Sequence, residues 1–239
     1  MIVAAHQPHF LPWLGYLNKA LSADVFIWLD TVQYRKNYFQ NRTRIMSPDG
    51  REQWLTLPVH AGSTSSIDTV TIAEPRWRER VAKSVHQWYG KAPHYGSVWP
   101  TIADALRAPT EHLAEIDYSL FTATLKLFGG PIPRIVRASE LGAAPVDPTD
   151  RLVTLCQRVG GDRYIGGRSG PSYMRLEAFE RARIDIVWQQ FDVERTAYER
   201  RDGHRVAGLS VLDALCHVGP TETERLARGA WSVPSAGPA

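Results

Sequence analysis

The chain has little that would staple it, anchor it or leave it unfolded. Only two cysteines, Cys156 and Cys216, occur in 239 residues. That is too few for a disulfide scaffold and fits a reducing cytoplasm. No apolar run approaches the roughly 20 residues a membrane helix needs. The opening MIVAAHQPHFLPWLGY carries neither a basic leader nor a small-residue cleavage site, so no secretory signal is expected. Charge of one sign is scarce too. The 28 Lys+Arg against 25 Asp+Glu leave +3, too mild an excess to argue for nucleic acid. Internal repeats and low-complexity tracts are absent. What the chain does have is apolar mass, 44% hydrophobic with eight Trp, enough for one sizeable core and incompatible with wholesale disorder.

The pattern along the chain predicts an α/β fold with a parallel-sheet core that begins with a β-α-β unit. Residues 2–5 (IVAA) read as a short buried strand, followed by a His-Gln-Pro break. Pro8 biases Gln7 away from the helical region, and Pro12 suits the first turn of a helix through LPWLGYLNKALSA. VFIWL (25–29) is a second apolar strand, and two such strands around one helix imply a parallel, right-handed crossover. Residues 30–54 read as a polar, aromatic and basic stretch. WLTLPV (54–59) and TVTIA (69–73) read as strands around a turn or mobile loop. From Pro75 the periodicity turns helical, giving an inserted helical layer or small lobe at about 75–130 within a single domain spanning 1–239. Strands are expected at 132–138, 163–167 and 184–188, and a helix over DPTDRLVTLCQRVG. Two short helices, SVLDALCHVG and PTETERLARG, precede a frayed last ten residues.

Ligands of parallel α/β sheets sit outside the carboxyl ends of the strands. His6 and Gln7 leave the end of the first strand, and Asp30 and Gln33 the end of the second, so all four should face one crevice. The following VQYRKNYFQNRTRI adds Lys36, Gln40, Asn41 and Arg42, donors suited to phosphate or carboxylate. His6 lies in the right pKa range for proton transfer. His6 and His9 have metal-ligand spacing, but no acid or Cys joins them at ligand spacing, and no metal is expected. In GGDRYIGGRSGPSYM, Arg168, Ser169 and Gly170 form a loop that could cradle phosphate, although a tight strand-to-helix turn explains the same glycines. Cys156 and Cys216 fall on apolar helix stripes and read as buried. Asp213 and His217, one helical turn apart, could pair on one face. Most Trp read as core, with Trp13 or Trp54 able to line a site. Aromatics among the basic residues at 34–44 could stack on bases, but no RNA module motif is present.

Taken together, HQPHFLPWLGYLNK, DTVQYRKNYFQNRTRI, WLTLPV, RYIGGRSGPSYM and LSVLDALCHVG resemble the WbqC-like family over most of the chain. The positions that carry the resemblance are His6, Gln7, Pro8, Phe10, Pro12, Gly15 and Tyr16. They continue with Asp30, Gln33, Gln40, Asn41, Arg42 and Trp54, then Gly166, Ser169, Gly170, Ser210, Asp213 and Gly219. The chain departs from the family pattern at His9 and His217, where Asn is usual, and at Gly167. Such proteins occur in bacterial O-antigen and specialised-metabolite clusters, and the resemblance implies an acyl or aminoacyl transferase-like role. A fainter likeness, in the strand, Pro-containing break and Gly-Tyr helix, is to HIGH-type nucleotidyltransferases, with Leu14, Gly15 and Tyr16 in place of their histidine pair.

The expected function is a cytoplasmic transferase moving an acyl or aminoacyl group to an amine or hydroxyl of a small-molecule or sugar acceptor. The donor would be a coenzyme A or phosphopantetheine thioester, the latter on an acyl carrier protein; membrane and nucleic acid are not expected as partners. In this reading His6 takes the proton and Asp30 orients His6 or an amine. Gln7, Gln33, Gln40, Asn41 and Trp54 line the substrate, and Lys36, Arg42, Arg168, Ser169 and Gly170 hold its anionic part. The alternatives are an ATP-dependent nucleotidyltransferase-like enzyme and a non-catalytic binding protein of a biosynthetic assembly.

Overall fold

A computed structural model describes residues 1–62, 64–229 and 231–233. Strand β1 (Ile2–His6) leads through α1 (Leu14–Leu21) to β2 (Val25–Trp28), which lies parallel to β1 with Val3 opposite Val25 and His6 opposite Trp28. The expected β-α-β opening is present. Next come β3 (Arg42–Met46) and β4 (Glu52–Thr56), then β5 (Val59–His60) and β6 (Thr71–Ile72). Helices α2 (Trp77–Tyr89), α3 (Tyr95–Leu106) and α4 (Leu113–Lys126) occupy the block expected to be helical. The chain then runs through β7 (Arg134–Arg137), α5 (Pro148–Arg158), β8 (Arg163–Gly166), α6 (Leu176–Arg181) and β9 (Asp185–Trp188). It closes with β10 (Tyr198–Glu199), β11 (Arg205–Val206) and α7 (Val211–Gly229). Gly219, at φ 81°, kinks α7 into the two short helices that the sequence suggested. Most of the stretch expected to fray lies outside the described residues.

Five strands form one parallel sheet in the order β7-β2-β1-β8-β9. This is a doubly wound order, in which the chain runs outward from β1 in one direction and from β8 in the other. Their shared border is the switch point. Alternation along the central strands divides the core in two. Ala4, Phe26 and Trp28 face one hydrophobic cluster, which also takes residues from α1, α2, α3, α4 and α7. Val3, Ala5, Val25 and Ile27 face another with Leu152, Leu155, Cys156 and Phe179 of α5 and α6. Trp28, Phe26 and Phe121 are fully buried, and each such side chain contributes about 1.5–3 kcal/mol by leaving water.

Three segments differ from the sequence reading. Residues 30–54 contain an antiparallel hairpin, β3 with β4, closed by Asp49-Gly50 with Gly50 at φ 79°. WLTLPV is interrupted at Pro58, which cannot donate to a ladder; β4 ends at Thr56 and β5 pairs separately with β6. The stretch after β9 holds a second small hairpin, β10 with β11, whose turn includes Gly203 at φ 84°.

Candidate functional site

At the carboxyl end of β1 the chain is clamped before it enters α1. The N–H of Phe10 donates to the Phe39 carbonyl at 3.0 Å, and that of Val211 to the Pro12 carbonyl at 2.7 Å. Leu11 sits in the left-handed region at φ 44°, which costs about 1 kcal/mol for a residue with a side chain. Its carbonyl accepts from the hydroxyls of Thr43 and Ser210, both at 2.9 Å. The β3 strand and the start of α7 therefore hold the His6–Trp13 segment in place. On the facing loop, Arg35 N–H donates to Gln40 Oε1 at 2.6 Å, and Gln40 Nε2 donates to Gln7 Oε1 at 3.0 Å.

This clamp fixes the chemical state of His6. Its Nδ1 lies 3.0 Å from the backbone carbonyl of Gln7. A carbonyl can only accept, so Nδ1 carries the proton and Nε2 keeps its lone pair. Burial first, and then the charge of Lys19, push the His6 pKa down to about 3. The imidazole is neutral at physiological pH.

Lys19, only 4% exposed, projects from α1 to the switch point. Its Nζ donates to the Ala5 carbonyl at 2.9 Å and lies 5.7 Å from the Tyr164 ring. None of its partners among the described residues is a carboxylate. Burial lowers its pKa to about 8, which still leaves the ammonium charged at neutral pH. Beyond it, a Cβ on Gly167 would stand 3.6 Å from Nζ.

The other side of His6 is an aromatic cluster around Tyr16. The His6 and His9 rings lie 4.6 and 4.9 Å from that of Tyr16 and 4.7 Å from each other. The Tyr16 hydroxyl donates to the Gln7 carbonyl at 3.2 Å. Phe121 of α4 packs 5.7 Å from Tyr16 and 5.0 Å from Trp28. One turn earlier on α4 is Asp117, fully buried, whose charge is felt at both Tyr16 and Tyr34. Both oxygens of Asp117, both ring nitrogens of His9, the Trp28 indole N–H and the Asn41 amide oxygen are buried without a hydrogen-bond partner. Each such group costs about 1–3 kcal/mol.

A sequence model of the WbqC-like protein family matches residues 7–225. The chain belongs to that family. The uncharacterized protein Rv1507c of Mycobacterium tuberculosis is 28% identical to this WbqC-like chain over 220 residues, 91% of the chain and 94% of the relative. No solved structure matches it.

Other residues of the WbqC-like pattern have separate tasks. Asp30 is not brought to His6. Its oxygens accept from the N–H and hydroxyl of Ser139 at 3.0 and 2.6 Å, holding the turn after β7. Orientation of His6 falls to the Gln7 carbonyl instead. Gln33 forms an isolated antiparallel bridge with Ser66. Asn41 Nδ2 donates to the Leu57 carbonyl at 2.7 Å. Arg42 lies 4.1 Å over the Trp54 ring and donates to the Asn37 carbonyl, while Trp54 remains 43% exposed. Lys36, Arg168 and Ser169 are exposed. Gly166 and Gly170 are explained by packing, because a Cβ on either would stand 2.4 or 2.2 Å from the Trp188 ring.

Asp213 accepts from the Tyr89 and Tyr198 hydroxyls at 2.8 Å and pairs with Arg200, and His217 instead accepts from the Arg201 N–H at 3.2 Å. Cys156 and Cys216 are buried. No described helix is long and apolar enough to cross a membrane. Among the described residues, no group of three or more His, Cys, Asp or Glu is placed to hold a metal ion.

Lys19 and Asp117 went unread in the sequence. Asp117 follows Leu113 by four residues and precedes Phe121 by four, so it occupies a core position of an amphipathic helix. A carboxylate there was the available signal.

Proposed function

We propose that the chain is a biosynthetic transferase. It moves an acyl or aminoacyl group from a thioester, on coenzyme A or a carrier protein's phosphopantetheine, to the amine or hydroxyl of a small-molecule or sugar acceptor. One observation carries the reading: a neutral imidazole with its Nε2 lone pair available stands beside a buried ammonium that has no carboxylate partner among the described residues. The first suits proton abstraction, and the second suits a substrate anion. The acceptor's nitrogen or oxygen attacks the thioester carbonyl, and the C–S bond breaks. His6 Nε2 takes the proton from the attacking atom and returns it to the leaving thiolate.

Gln7 is the candidate for polarising the thioester carbonyl in this reading. Its Oε1 is occupied by Gln40, and its Nε2 has no acceptor among the described residues, leaving an amide donor for developing negative charge. An anion on Lys19 cancels one of the two effects that depress the His6 pKa, so donor binding strengthens the base. Lys36 and Arg42 remain candidates for the outer phosphates of the arm. Burial pushes the Cys156 thiol up to about 12, which favours direct transfer over an acyl-enzyme. A cytoplasmic place in surface-polysaccharide or specialised-metabolite biosynthesis goes with this reading.

The test is thiol release from a panel of acyl- and aminoacyl-coenzyme A thioesters with amine and hydroxyl acceptors. Turnover should fall by about 10²–10⁴-fold in His6→Gln, the usual contribution of a positioned base. Full activity in that variant, or no thiol release from any pair, overturns the reading. A mass gain that Cys156→Ser abolishes would overturn direct transfer.

The doubly wound strand order favours a second reading, ATP-dependent activation of a carboxylic acid, since switch points of such sheets take nucleotides. Pyrophosphate release with ATP and a carboxylic acid distinguishes it.

A further inference from the structure

We propose that Asp117, His9 and the Trp28 indole enclose a subsite for a small primary ammonium ion bearing a neighbouring oxygen, the acceptor of the transfer. The inference rests on the transfer reading above and narrows its acceptor to an amine. Four observations support it. Asp117 is fully buried with both oxygens unpartnered, and His9, 2% exposed, has neither ring nitrogen bonded. The Trp28 N–H is a third orphan and the Asn41 amide oxygen a fourth. These residues come from α4, the segment after β1, β2 itself and the loop before β3, and the first three gather around the Tyr16 ring that His6 also touches.

The donor and acceptor inventory defines the ligand. The two carboxylate oxygens and an imidazole lone pair accept three N–H bonds, which is what a primary ammonium offers. The indole N–H and the imidazole N–H require an acceptor oxygen nearby on the same molecule. A hydroxyl in place of the ammonium brings no positive charge to hold Asp117 ionised, and a quaternary ammonium has no N–H to give.

Burial holds the empty-site carboxyl well above the usual carboxylate range, which favours its protonated form. The ionisable groups around it are Tyr16 from α1, Tyr34 from the loop after β2, and His6 and His9 from the segment after β1. Arg137, near its helix neighbour Tyr118, is engaged by Glu115. Neutral His6 and His9 offer no compensating charge. Binding therefore replaces a proton: the ammonium enters as a cation, Asp117 becomes a carboxylate, and one proton leaves to solvent. Before transfer the ammonium passes one proton back to Asp117, which frees the lone pair that attacks, and His6 takes the second.

Ethanolamine is the probe, with ethylene glycol and choline as controls, in titrations followed by protein NMR between about pH 6 and 8. Ethanolamine should bind more tightly as pH rises across this range, the signature of a released proton. Ethylene glycol and choline should not bind detectably. Asp117→Asn, nearly isosteric with the protonated acid, should weaken ethanolamine by at least tenfold and abolish the pH dependence. Choline or ethylene glycol binding as well as ethanolamine overturns the proposal within the wild-type protein alone. So does pH-independent ethanolamine affinity, or affinity unchanged in Asp117→Asn. No donor is present in this experiment, so its failure is separate from failure of the transfer reaction.

Discussion

Replacing Lys19 with methionine should stabilise the fold while removing the proposed anion site. The ammonium is 4% exposed, and its pKa falls from 10.5 to about 8 through burial. At 1.36 kcal/mol per pKa unit, holding the charge at neutral pH costs roughly 3 kcal/mol. Methionine keeps the length and apolar stem but leaves the Ala5 carbonyl without its donor, a loss of about 1–2 kcal/mol. The net gain is about 1–2 kcal/mol, a rise in Tm of roughly 2–8 °C for a chain of this size.

The sign follows from the direction of the shift. Folded Lys19 gives up its proton near pH 8, whereas the unfolded chain keeps it to 10.5. Wild-type stability therefore recovers on the variant as pH rises through that window, and the advantage disappears above it. Thermal unfolding of both proteins at about pH 7 and 10.5, followed by circular dichroism, reads this directly. A variant less stable than wild type at neutral pH would refute the reasoning. A gain that persists undiminished at alkaline pH would do the same.

Other outcomes follow from the same structure. Measured against His6→Gln and His217→Gln, the wild-type urea-unfolding free energy should fall as pH drops from 6.5, a comparison in which the opposing protonation of buried Asp213, held at about 6, cancels. The unfolded histidines take up protons that His6, held at about 3, and His217, held at about 4, refuse when folded. A flat profile over that range would contradict those assignments. Gly166→Ala should destabilise by about 1–3 kcal/mol through collision with Trp188, and Trp188→Ala should recover part of that loss in a double-mutant cycle. Simple additivity would show that the glycine serves something else. Asp30→Asn should lower stability by about 1–3 kcal/mol through the Ser139 turn yet leave turnover of the folded fraction near wild type. A large loss of turnover would return Asp30 to the reaction.

The opening β-α-β unit could be read from the sequence because apolar runs, Pro8 and Pro12 act locally. The doubly wound order could not, since it depends on where β7 and β8 add to the sheet. Both hairpins carried an Asp-Gly signal, at 49–50 and 202–203, that the surrounding polar residues obscured. His6 and Gln7 were legible as strand-end residues. Lys19 was hidden in LNKAL, where a lysine ordinarily marks a solvated face, but α1 is buried on every side. Asp30 looked catalytic because sequence shows which strand end a carboxylate leaves, not which hydroxyl it meets.

The central claim concerns the chemical state of His6, and ¹⁵N NMR of a histidine-labelled protein measures it most directly. The account predicts a neutral ring with the proton on Nδ1 and no titration until far below pH 6.5, toward about 3. An Nε2-protonated ring, or a His6 titrating near 6.5, would contradict it.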